Sequence, residues 1–202
     1  MSVCGHTIVK KLQSNDHSIY VINTGSGDRV LKHFQDDKSF EAESCYVKLL
    51  ENYNIMPKVL SVDDDNRIII SQKMNPLVDE DGFLINKNVL TPTFIDQLDM
   101  KISLLHSLGI AHGDLSSHNI IYNNDGEPFI IDFEKAYKIN EYSLETKEWM
   151  VEFFDWEDSY ADFVNFDYIN WRKFLLLPCD KAPRDFVDPE LEYLYGIFEN
   201  NY

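Results

Sequence analysis

Between residues 6 and 34 apolar and polar positions follow a short period. "HTIVKKL", "SIYVINT" and "DRVLKHF" are runs of β-branched and aromatic residues, and the "NTGSGD" between the last two is rich in Gly and Asn. Three strands with a tight turn are predicted. The period changes at "DKSFEAESCYVKLLEN", residues 37–52, where Phe40, Tyr46, Val47 and Leu50 recur at helical spacing with acidic residues near the start. "KVLSVDDDNRIIISQKM" reads as two strands around an Asp/Asn turn, and "NPLVDEDGFLINKNVLTPT", broken by Pro and Gly, as a connector. A helix is predicted over 92–108, with Pro92 in its first turn and Gly109 just past its end. Residues 110–136 then read as strand, loop, strand, turn "NNDGEP", strand, loop. From 141 onward two or three helices are predicted, with "LLLPCDKAP" between them. A strand-rich section thus precedes a helical one, with no internal repeat.

Composition narrows the function classes more than it selects one. The 202 residues are 44% apolar, enough to fill a core and far from a disordered chain. The net charge of −17 repels a phosphate backbone and an anionic membrane, so neither nucleic acid nor membrane is an expected partner. No apolar run is long enough to span a bilayer, and "MSVCGHTIVKK" lacks the regions of a signal peptide, so a cytoplasmic location is expected. Cys4, Cys45 and Cys179 are an odd number at wide spacing and are read as reduced thiols. The Cys4–His6 proximity has no second pair to complete a metal site.

The chemistry concentrates in "IAHGDLSSHNIIYNNDGEPFIIDFEKA", residues 110–136. Asp114 stands five residues before Asn119, and Asp132 thirteen after it, each polar cluster beside an apolar run. "HGDLSSHN" and "DFE" resemble the H-R-D-L-x-x-x-N and D-F-G motifs of protein kinases at the corresponding separation. "LLHSLGIAHGDL" resembles the same family's lead-in to its catalytic loop. With Gly113 in the place of Arg, the "HGDL" form is similar to RIO-type and aminoglycoside-phosphotransferase-like kinases and other minimal members of the superfamily. The resemblance implies an α+β, bilobal protein-kinase-like fold. Residues 1–75 would be a β-rich N-lobe and 76–202 a shortened helical C-lobe of one domain. It also implies ATP and Mg2+ as cofactors, with Asp114 as the base for the acceptor hydroxyl and Asn119 and Asp132 as metal ligands. Lys32 in "RVLKHF" matches the phosphate-contacting lysine. Glu41 and Glu43 compete as its partner, and counting back from "YNIMPKV" favours Glu43. Gln72, Lys73 and Met74 would be the hinge facing adenine.

Three departures qualify the resemblance. "KKLQSNDHSIYVI" stands where the Gly-rich phosphate loop belongs and has no glycine, which leaves Ser14 to His17 as the expected loop tip. Glu134 replaces the glycine of D-F-G and is expected to point into solvent rather than join a metal shell. Only 68 residues follow Glu134 and no A-P-E occurs, so a shortened activation segment and no control by its phosphorylation are expected. The stretch 141–202 has 15 acidic and 5 basic residues with many aromatics, which suits a basic protein partner. His112 is expected to support the catalytic-loop backbone, and His106 and His118 to be structural. The acceptor implied is a protein Ser/Thr side chain, with a small molecule such as a sugar or antibiotic as the alternative. A pseudokinase acting as a binding module is the rival from another class.

Overall fold

The computed structural model describes residues 2–3, 6–12 and 17–138, and the helices predicted from 141 onward, the loop residues 13–16, Cys4 and Cys179 lie outside the described residues. Six strands form an antiparallel sheet: β1 (Ser2–Val3), β2 (His6–Leu12), β3 (Ser18–Asn23), β4 (Asp28–His33), β5 (Val59–Asp63) and β6 (Ile68–Gln72), in the order β1-β2-β3-β4-β6-β5. The period of two divides its faces. Ile22 and Leu31 pack with Ile68 and Ile70 on one side, while Ile69 joins Phe34 and the helix residues Phe40 and Val47 on the other. Lys32 pairs across the ladder with Ile69 and is adjacent to Leu31, which puts it on the helix side.

That helix, α1 (Asp37–Leu50), is capped by Asp36, whose carboxylate accepts the Ser39 amide at 2.8 Å. Its buried stripe is Phe40, Glu43, Ser44, Val47 and Leu50, a 3.6-residue repeat. Glu43 falls on this stripe and Glu41 faces solvent, so helical phase alone separates the two candidates.

The second core surrounds α2 (Pro92–Ser107), which begins with Thr91 accepting the Phe94 amide and Pro92 at its first position. It ends at Gly109, whose φ of +74° closes the last turn. Phe94, Leu98, Ile102 and Leu105 of α2 pack with Leu115, Ile120, Ile130 and Phe133, and also with Leu50 and Ile55 from the α1 end. Short strands β7 (Asn75–Pro76), β9 (Ile120–Tyr122) and β10 (Pro128–Ile130) make a three-stranded sheet, and β8 (Ile110–Ala111) pairs with β11 (Tyr137–Lys138). β7, at the start of the connector, thus pairs with β9, and the large sheet stops at Gln72. Among the described residues no helix is long and apolar enough to cross a membrane.

Candidate active site

Strand β4 and helix α1 bring Lys32 and Glu43 together with Asp132 of the "DFE" turn. The Lys32 ammonium donates to Glu43 Oε2 and to Asp132 Oδ1, both at 2.5 Å, and lies 4.7 Å over the Phe34 ring. One positive charge is thus shared by two carboxylates of unequal burial, since the side chains of Glu43 and Asp132 are 9% and 33% exposed. Burial pushes the Glu43 carboxyl up to about 7 against the opposing pull of Lys32. Burial also acts to raise Asp132, but Lys32 outweighs it and holds that carboxyl below its usual range. Burial alone would lower Lys32, yet the field of Glu43 and Asp132 raises it. The ammonium is therefore kept charged, and the more exposed carboxylate carries the ionised role.

Asp132 has a left-handed backbone, φ +71° and ψ +63°, a conformation that Asp tolerates better than most residues. His112 supports it from behind. This fully buried ring donates through Nε2 to the Ile131 carbonyl at 2.9 Å, accepts the Asp114 amide on Nδ1 at 3.3 Å, and stands edge-on to Phe133. Its tautomer is set by those two bonds. Asn119 closes the loop by donating Nδ2 to the Asp114 carbonyl at 2.8 Å, while its own carbonyl accepts the Ile131 amide at 3.0 Å. The loop carrying Asp114 and Asn119 is thereby bonded to the residue preceding Asp132. The carboxylates of Glu43, Asp132 and Glu134 each offer an oxygen within 4.8 Å of the others, hard donors of the kind that a magnesium ion accepts. Glu43 belongs to the same carboxylate group, but its place beside Asp132 is taken by the Lys32 ammonium.

One expectation is overturned. Glu134 does not point into solvent: its carboxylate takes a 2.5 Å bond from His17 Nε2, and its side chain is only 14% exposed. His17, the one described residue of the expected loop tip 14–17, has its ring buried against Phe34, 4.7 Å between centroids. The physical reason is shared, since each side chain fills the polar gap that the other leaves between the sheet and the "DFE" turn.

A third contact was not visible in the sequence. Lys135 Nζ donates to Asp114 Oδ2 at 2.7 Å, and this bond raises the lysine further. The turn that presents Lys135 presses so closely on the catalytic loop that a Cβ on Gly113 would lie 2.5 Å from the Lys135 carbonyl oxygen. With φ at +77°, position 113 accepts glycine and excludes the arginine of larger kinases. Gln72 is committed to the end of the inner strand β6, its amide donating to the Lys58 carbonyl at 2.9 Å, and the exposed Lys73 lies 3.8 Å from Asp28. Met74 is half-buried beyond it.

Residues 85–147 of the chain match the RIO domain, an atypical protein-kinase-like family. The matched stretch runs from the connector through α2, the "HGDLSSHN" loop and the "DFE" turn, and includes nothing of the large sheet. The resemblance to RIO-type kinases carried by those motifs is therefore found independently over the segment that contains them. A comparison with curated proteins found no match.

Proposed function

We propose that this protein is an ATP- and magnesium-dependent phosphotransferase, most simply a minimal atypical protein Ser/Thr kinase with the two-lobed arrangement of that superfamily. The single observation that carries this reading is the Lys32–Asp132 contact, which joins side chains 100 residues apart in a cluster with Glu43. A lysine held beside an ionised aspartate suits the phosphate tail of a nucleotide, and a structural ion pair would not need Asp114 and Asn119 on the adjoining loop. Lys32, oriented by Glu43, would neutralise phosphate oxygens. Asp132 and Asn119 would hold magnesium, with Glu134 within reach as a further oxygen donor. Bound magnesium would supply charge neutralisation across the phosphates. Asp114 would orient the acceptor hydroxyl and take its proton. Adenine would meet Lys73 and Met74 more readily than Gln72, whose amide already has a partner.

Phosphoryl transfer asks mainly for positioning and charge, so these few groups on bonded strands and loops suffice. A small-molecule acceptor is the second reading. It is favoured by the inward Glu134, an acidic side chain where protein kinases have glycine. The test is to incubate the protein with labelled ATP and magnesium, alone, with a generic basic protein, and with a panel of sugars and aminoglycosides. Label transfer that disappears in Asp114→Ala supports the reading, and the acceptor that takes the label separates the two versions. Nucleotide binding with no turnover in any arm would sink the enzyme reading in favour of a binding module.

A further inference from the structure

Lys135 has no part in the machinery described so far, yet it touches the carboxylate on which that machinery depends. Its Nζ holds Asp114 Oδ2 at 2.7 Å, with side chains 61% and 41% exposed, so water could replace the bond at little loss of stability. The backbone around the pair is nonetheless built to keep it. Tyr137 and Lys138 pair with Ala111 and Ile110, and the Phe133–Lys135 turn is closed by the Ala136 amide on the Phe133 carbonyl. Gly113, at φ +77°, gives up its side chain to let the Lys135 carbonyl approach. A close-packed backbone around a solvent-washed ion pair is hard to account for by stability, and it fixes where one ammonium stands relative to one carboxylate.

We propose that Lys135 is a positioning residue for phosphotransfer, holding Oδ2 of Asp114 so that Oδ1 faces the incoming hydroxyl. This rests on the phosphotransferase reading above. In the step served, the acceptor oxygen forms a bond to the γ-phosphorus as the bond to the ADP oxygen breaks. The bonding pair leaves with ADP, and the hydroxyl proton passes to Asp114 Oδ1. Without the ammonium the carboxylate turns freely, and fewer encounters find an oxygen in line. The phosphate contacts of Lys32 are untouched, so nucleotide affinity is unaffected.

The experiment measures ADP release from magnesium-ATP, with a generic basic protein as acceptor, for wild type, Lys135→Met and Lys135→Arg. Lys135→Met is expected to lower kcat by about tenfold or more, with KM for ATP within about twofold and the melting temperature unchanged. Lys135→Arg, which keeps the charge and a donor, is expected to recover at least about a third of the wild-type kcat. An active wild type with an equally active Lys135→Met overturns the role of Lys135 alone. So does a defect confined to KM, or an equal loss in both variants accompanied by a lower melting temperature. A wild type that releases no ADP with the basic protein or with any sugar or aminoglycoside of the panel overturns the parent reading, and this one with it.

Discussion

Two lysine–carboxylate contacts stand three residues apart along the "DFEK" turn, and they differ in almost every physical respect. Lys32 is 12% exposed and bridges two acids contributed by a helix and a turn, whereas Lys135 is 61% exposed and meets one acid on a neighbouring loop. Burial makes the first contact an obligation. Removing one partner strands the others in a low-dielectric gap, which is costly even where the intact cluster adds little net stability. The second contact is largely open to water and is worth at most about 1 kcal/mol to the fold. Similar geometry therefore carries different information. The buried cluster ties sheet, helix and turn together and places charge, while the exposed pair can matter only through what it does to Asp114.

The largest expected effect breaks the buried contact at its acidic end. Asp132→Asn keeps a side chain that tolerates the left-handed backbone, so it removes charge with little added strain. Magnesium-dependent turnover is expected to fall on the order of a thousandfold with circular dichroism unchanged. Near-normal turnover, still dependent on magnesium, would remove Asp132 from the site. Asp132→Ala should lose as much activity and also some stability, because alanine lacks the aspartate's tolerance of that backbone.

Breaking the same contact at its basic end should cost turnover about a hundredfold in Lys32→Met, which keeps the packing of the stem. Glu43 then stays buried with no counter-charge, so its carboxyl should move further up and the protein should lose about 1–3 kcal/mol. Adding Glu43→Gln removes the buried carboxyl that must otherwise be held protonated, and is expected to restore part of that loss without restoring activity. Urea denaturation of the three proteins checks this, and a double variant no more stable than Lys32→Met would show that the cluster is not coupled as described.

The exposed contact is sharpened through its backbone. Gly113→Ala places a Cβ against the Lys135 carbonyl and forces a left-handed conformation on alanine, so a loss of about 2–4 kcal/mol is expected. A shift in urea midpoint equivalent to less than about 0.5 kcal/mol would mean that the turn moves aside easily and does not fix Lys135. The smallest effect expected is none at all. Larger kinases order an activation segment by pairing its phosphate with arginines that include the one in H-R-D, and Gly113 has no side chain to do so. Phosphatase-treated and untreated protein should therefore turn over ATP equally, and a severalfold difference would reveal a phosphosite acting by another route.

Local chemistry in the chain was enough to determine the longer elements among the described residues. Alternation wrote the strands from 6 to 34, Asp36 and Thr91 capped helices whose apolar stripes were already in phase, and Gly109 closed the second of them. The spacing of Asp114, Asn119 and Asp132 was legible for the same reason, since all three lie at the ends of short apolar runs along a stretch of chain with few ways to fold. Phase also separates Glu43 from Glu41 once the helix is drawn. What no local rule reaches is the direction of a polar side chain whose partner comes from another element of the fold. Glu134 turns inward because His17, 117 residues earlier, is packed on Phe34 and needs an acceptor. Lys135 meets Asp114 because β11 pairs with β8, and two-residue strands leave no period to read. Gly113 looked like a missing arginine, and only the approach of the Lys135 carbonyl makes the glycine a requirement. Sequence patterns encode burial, which is local and periodic, whereas polar partnership depends on which surfaces packing brings face to face.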